Sequence, residues 1–309
     1  MKCNNCNSEI PLDAKFCPNC GSKVDEDVLK QPHTCVKCHT PMPAEALFCP
    51  NCGEPVQSEE VRPQIGDYYY TDGTYSHEKD PNKTVAGIVF STETTEVEKS
   101  HGWTHGQIVA TRFASLEVIR TENYGFLNLY ERQVRTFTDN LQFCHADTLP
   151  LPYPVYELSD GKIRNDRNGY IYTHCQKNIS DEFELFNAAL KYHVPLPKTT
   201  SGWYVPAMGQ ILDMIENNIG ETIRWTGAFG GINRSESSMR QYNKAMAFLK
   251  QLGYTKCYNI ASSTQGAYVV RPNRPCGCLS FRIDPDDHNF WMSGGLKNGS
   301  AKLLPVAAF

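Results

Sequence analysis

Apolar residues recur at helical spacing in three stretches of the middle of the chain and cluster in short runs towards both ends. In residues 181–193, Phe183, Phe186, Ala189 and Leu190 fall on one face and acids occupy the first turn, which predicts an amphipathic helix. Met208 to Asn218 predicts a second helix, with Ile211, Met214 and Ile215 as its buried stripe and Gly220 as its stop. Residues 235–252 predict a third, with Tyr242, Ala245, Met246 and Leu249 in phase and Gly253 just past the end. Strands are expected on either side. Tyr68 to Tyr75 reads as strand, Asp-Gly turn, strand. Val85–Phe90 is a short buried strand with a small-residue kink, and Gln107–Thr111 is another. Near the end, Ala267–Val270, Leu279–Arg282 and Leu303–Phe309 have strand character. Residues 115–145 have mixed periodicity, with a helix expected around 127–142, and 146–168 reads as a proline-rich surface loop. Helices in the middle and strands at both ends predict an α+β domain.

The first 53 residues follow another logic. They lack the apolar residues for a core and instead repeat one cysteine pattern. Cys3, Cys6, Cys17 and Cys20 form two Cys-x-x-Cys pairs, and Cys35, Cys38, Cys49 and Cys52 repeat them with the same internal spacing. The repeat reaches beyond the thiols: Phe16-Cys-Pro-Asn-Cys-Gly21 returns as Phe48-Cys-Pro-Asn-Cys-Gly53. Two residues between cysteines let a tight turn aim both sulfurs at one point, so two turns supply the four thiolates of a closed tetrahedral zinc site. Each following glycine lets the chain leave the turn at positive φ. Metal binding and folding of such a segment should be one event. A closed site keeps no open coordination position, so the two expected zinc ions are structural. A disulfide framework is the alternative use of eight cysteines. The start, Met-Lys-Cys-Asn-Asn-Cys, lacks the apolar stretch of a secretory signal that would favour one.

The domains expected are ribbon 1 at 1–22, ribbon 2 at 33–54, a linker at 55–66 and a large domain at 67–309. The chain is 40% hydrophobic, 11% aromatic and 21% charged, which is ordinary globular composition. No run of about 18 apolar residues marks a membrane span. A cytoplasmic location is expected, with Cys144, Cys175, Cys257, Cys276 and Cys278 as free thiols. Residues 1–57 hold five lysines, no arginine and seven acids. With two tetrathiolate zinc sites the ribbons carry a charge of about −6. That argues against phosphate contact and nucleic acid, and for docking on a protein or acting as a spacer.

The N-terminal segment resembles the double zinc ribbon family over all eight ligands. In the large domain, Gly66–Tyr75, Lys83–Phe90, Gly202-Trp-Tyr-Val-Pro206 with its following helix, Ala261-Ser-Ser-Thr-Gln265 and Leu304–Phe309 occur in an order similar to that of the C-type-lectin-like domains of bacterial collagen-like adhesins. That family is related in fold to the formylglycine-generating enzymes and to the variable proteins diversified by retroelements. The resemblance implies paired N- and C-terminal strands, a structural role for Trp203, and an irregular loop region displaying a binding surface. No Glu-Pro-Asn or Gln-Pro-Asp triplet accompanies it, so calcium-dependent sugar binding is not implied. Asp284, Asp286 and Asp287 read as a solvated acidic loop.

Residues 257–298 have the composition of a recognition face. Tyr258, Asn259, Tyr268, Arg271, Asn273, Arg274, Arg282, His288, Asn289, Phe290 and Trp291 mix rigid aromatics with adaptable polar groups. His101 and His105 are four apart, but Gly102 and Gly106 break the helix that would align them on a metal. Cys276 and Cys278 suggest the copper-dependent oxidation of the formylglycine-generating relatives, but at tighter spacing and without the surrounding motif. There is no lysine after Gly227–Gly231 to make a phosphate loop, and no serine nucleophile elbow. The expectation is a non-enzymatic protein that presents residues 257–298 to a protein or other macromolecular ligand. A sharper form makes it the variable protein of a diversity-generating retroelement. The rival readings are a formylglycine-generating-type oxidase using Cys276 and Cys278, and a zinc-ribbon nucleic-acid regulator.

Overall fold

The chain divides into two units, Met1–Val61 and Arg62–Phe309. The computed structural model describes residues 19–20, 33–35, 37–42, 48–53, 62–123, 131–138, 141–142, 154–157, 161–175, 183–223, 236–252, 259–267, 277–284, 289–294 and 300–309. The first unit contains β1 (His33–Thr34) and β2 (Pro41–Met42), antiparallel, with His33 opposite Met42.

In the second unit β3 (Tyr68–Tyr70), β4 (Tyr75–Ser76) and β5 (Val85–Ser91) lead through α1 (Glu96–Ser100) to β6 (Gln107–Ala110). Next come β7 (Leu116–Asn123), β8 (Glu131–Thr138), β9 (Leu141–Gln142) and β10 (Val155–Glu157). The helices α2 (Gly169–His174), α3 (Glu184–Leu190), α4 (Met208–Ile219) and α5 (Glu236–Gln251) follow. The last strands are β11 (Asn259–Ala267), β12 (Gly277–Asp284), β13 (Asn289–Gly294), β14 (Ser300–Ala301) and β15 (Val306–Ala308).

The five-stranded antiparallel sheet has the order β15-β6-β5-β3-β4. Its hairpin turn is closed by Asp72, whose carboxylate accepts from Thr74 N at 2.9 Å and Thr74 Oγ1 at 2.6 Å, with Gly73 at φ 87°. Both faces of this sheet are covered, so β5 is buried from Ala86 to Ser91 rather than alternating. Ile88, Phe90, Val109 and Val306 face α4, while Ala86, Val89, Ile108 and Ala307 pack with Trp203 and Phe309.

Helix α4 is the hub of the larger cluster. Ile211, Leu212, Met214 and Ile215 are fully buried, each worth about 2 kcal/mol of apolar transfer. Its N-cap residue, Ala207, has no side-chain acceptor, and the N-terminal donors are met by other groups. Ala207 N donates to Gln210 Oε1 at 2.9 Å, Met208 N to Thr264 Oγ1 at 2.8 Å, and Gly209 N to Asp166 O at 2.8 Å. Gly220, at φ 70°, ends the helix as the sequence predicts. A buried polar network ties α4 to the main sheet. Gln210 Nε2 donates to Gln107 Oε1 (3.0 Å) and to Tyr204 Oη (2.9 Å), and Glu98 accepts from Tyr204 Oη (2.9 Å), Gln107 Nε2 (3.1 Å) and Thr95 N (2.7 Å). Burial and the neighbouring Glu98 carboxylate push the Tyr204 phenol well above its usual range.

The second sheet has the order β10-β11-β12-β13. Its strands are antiparallel except at β10, which runs parallel to β11 with Val155 opposite Gln265.

Several expectations are corrected. The helix expected at 127–142 is not formed by 131–138, which is strand β8 paired along its length with β7. The stretch 146–168 is not simply surface loop: it holds β10 and a 3-10 turn, Gly161–Asn165, with Ile163 and Asp166 buried. The helix expected over 181–193 is α3 alone among the described residues, and Leu190 is 45% exposed rather than core. The strand expected at Ala267–Val270 lies earlier, at Asn259–Ala267, and 268–270 fall outside the described residues. The N- and C-terminal strands β3 and β15 share a sheet but are separated by β5 and β6, so they are not paired.

Candidate metal centre and recognition sheet

The second cysteine repeat folds as two knuckles. In the first, His39 N donates to Cys35 O at 2.8 Å and Cys35 N to Thr40 O at 3.0 Å. This tight reversal places His39 at φ 57°, a left-handed conformation that His and Asn tolerate better than most side chains. In the second, Gly53 N donates to Cys49 O at 2.9 Å and Gly53 sits at φ 70°, the exit the sequence predicts for that glycine.

The knuckles bring four sulfurs together. Cys35 Sγ is 3.6 Å from Cys52 Sγ and Cys38 Sγ is 3.5 Å from Cys49 Sγ, and all four lie within 4.8 Å of one another. A disulfide needs about 2.05 Å, so these sulfurs are not bridged to one another. Zinc–sulfur bonds of about 2.3 Å in a tetrahedron set sulfur–sulfur edges of about 3.8 Å, so these two edges fit a zinc ion at the centre. Cys35 and Cys49 are 2% exposed, whereas Cys52 faces solvent. The Thr40 hydroxyl, then the Thr40 backbone N–H, then Cys52 and Asn51 hold the Cys38 thiol down to about 5 against the opposing effect of burial. That favours the thiolate, which is the ligand form. Among the described residues this is the one group of three or more His, Cys, Asp or Glu side chains placed to hold a metal.

Of the first repeat, Cys20 is exposed, and Cys3, Cys6 and Cys17 lie outside the described residues. His101 and His105 do not converge. His101 Nδ1 donates to Val97 O at 2.8 Å with its ring stacked on Trp103, and the His105 ring stacks on Phe309. Trp203, 6% exposed, donates Nε1 to Val194 O at 2.8 Å and is core.

The recognition residues were expected on irregular loops, and the described ones lie on regular strands. Asn259, Arg282 and Trp291 form one row across β11, β12 and β13. Asn289 is opposite Asp284, and Phe290 is opposite Ile283. The row of Asn259, Arg282 and Trp291 adjoins the row of Ile260, Phe281 and Met292, whose Ile260 and Phe281 are fully buried. Tyr258, Tyr268, Arg271, Asn273, Arg274 and His288 lie outside the described residues, as do Cys276, Asp286 and Asp287. Cys278 stands in β12 opposite Gln265. Thr40 and Asn51 were not singled out from the sequence, although the repeated Pro-Asn-Cys at 18–20 and 50–52 carried a signal for Asn51.

The double zinc ribbon family model matches residues 3–53, so a double zinc ribbon stands at the N-terminus. A crystal structure of a fimbrial protein from Bacteroides ovatus is similar over 80% of this chain and 49% of that one, at 15% identity and a TM-score of 0.46. The chain thus spans about half the length of that protein. No curated protein matches.

Proposed function

We propose that this is a non-enzymatic, cytoplasmic recognition protein. Two zinc ribbons, each with a structural ion, dock or space a C-type-lectin-like domain. The face presented to a protein or other macromolecular partner is built on β11, β12 and β13. The observation that carries the reading is the alignment of Asn259, Arg282 and Trp291 in one row of the sheet, from a set marked for its recognition chemistry. β3 and β15 share one sheet without pairing directly, so the lectin-like assignment rests on the order of the sequence motifs. Four thiols closing on one point support a structural ion, since a tetrahedral tetrathiolate leaves no position for substrate. Negative ribbons favour a basic or neutral protein surface over nucleic acid.

A photo-crosslinking residue in place of Trp291 should give one discrete protein adduct in cells, and the same residue in place of Glu96 on α1 should not. No adduct at 291 from zinc-replete protein would end the recognition reading. The sharper form, a target of retroelement diversification, requires a near-copy of the 3′ coding end beside a reverse transcriptase gene. A locus without one removes it. Copper-dependent oxidation of a cysteine peptide, abolished by Cys276→Ser and Cys278→Ser, would replace recognition with catalysis.

A further inference from the structure

We infer that Thr40 and Asn51 form a hydrogen-bond brace on the Cys38 sulfur that tunes its hold on the metal. This rests on the zinc-binding reading and deepens it from the ligands to the groups that position them.

The geometry is a closed triangle. Thr40 Oγ1 lies 3.2 Å from Cys38 Sγ, and Asn51 Nδ2 lies 3.1 Å from Thr40 Oγ1 and 3.7 Å from Cys38 Sγ. The amide of Asn51 has two protons to give, and both partners are within reach. Once the Thr40 oxygen accepts from Asn51, its own proton is free to point at the sulfur. A thiolate so placed accepts from both side chains, and bonds to an ionised acceptor are the strong kind. Asn51 sits between Cys49 and Cys52, whereas Cys38 and Thr40 belong to the other knuckle. The brace therefore crosses the site and fixes the knuckles relative to each other as well as drawing charge from one sulfur. Four thiolates on a dication leave an excess negative charge, so donors to sulfur should slow ligand loss.

The offset that places Cys3 on Cys35 also places Cys6 on Cys38, Ser8 on Thr40 and Asn19 on Asn51. Hydroxyl and amide are both kept while many residues between them change. The same offset places Asn7 on His39, the left-handed position of the first knuckle, and Asn is a residue suited to that conformation.

The test uses the full-length chain. Native mass spectrometry of the parent first establishes its zinc content, and a parent without zinc would fail the underlying reading rather than this one. With zinc present, Thr40→Val and Asn51→Ala should each weaken one of two sites by about 10- to 100-fold in competition with a chromophoric chelator. Thr40→Ser should restore the parent value. In the cobalt-substituted chain the same two variants should shift the thiolate-to-metal charge-transfer band to lower energy, which a merely structural role would not do. Asn51 is exposed, so its truncation does not threaten the fold. Parent affinity and an unmoved band in Asn51→Ala and Thr40→Val would overturn the brace.

Discussion

His39 and Gly87 are under constraints that side-chain chemistry alone does not express. His39 carries the first knuckle through φ 57°, where a β-branched residue is strained. His39→Val should therefore weaken the second metal site, and His39→Asn should leave it intact, as read by zinc retained after chelator challenge. Gly87 reads in the sequence as a kink in a strand. In the sheet it is a point of close approach: a Cβ there would lie 2.6 Å from the Val109 carbonyl oxygen. Gly87→Ala should cost about 1–3 kcal/mol in urea unfolding of the larger unit. The cysteines are legible at this scale because spacing alone fixes what a Cys-x-x-Cys turn can do. Thr40 and Asn51 are harder to read, because a hydroxyl or an amide in a turn has many uses until a sulfur is found beside it.

The elements separate by how local their causes are. Helices α4 and α5 can be read from their stripes and stops, since both signals lie within the element. Strand β8 could not. Leu127, Tyr130, Val134, Phe137 and Leu141 fall at helical spacing, but Phe137 is 75% exposed, and the backbone partners are supplied by β7. Strand β10 is hidden for the same reason, its partner β11 lying far along the chain. Gln210 holds α4 to the sheet, and Gln210→Leu would leave Tyr204 and Gln107 each short of a donor in the core. A loss of several kcal/mol, about 1–3 for each buried group affected, is expected in denaturant unfolding. The α4–α5 contact has a pH signature. Lys244, then Arg240, hold the Glu221 carboxyl down from its ordinary 4.5 to about 2. A carboxyl lowered in the folded state gives stability that is whole above its ordinary value and is lost as pH falls through the lowered one. Glu221→Gln should flatten the fall in stability between those two values, measured by acid titration of unfolding midpoints.

At the scale of the molecule the two units are made by different physics. The first has thiols where the second has Ile, Leu, Met and Phe. A strong chelator should abolish the ordered knuckles of the first and leave the unfolding transition of the second unchanged, as separate calorimetric and circular-dichroism signals would show. The α+β character of the larger unit is legible from helical stripes flanked by strand runs. The register of its sheets is not, because pairing depends on residues that the local pattern never brings together. Among the described residues no helix is long and apolar enough to cross a membrane.

Strand β6 lies between β5 and β15, with Val109 facing Ile88 on one side and Val306 on the other. On a ribosome the knuckles can capture their metal while most of the chain is still unmade. The main sheet must wait for the final strand to clear the exit tunnel. Until then β6 offers a bare hydrogen-bonding edge and an uncovered apolar flank, so nascent larger units are the form of this protein most in need of a chaperone.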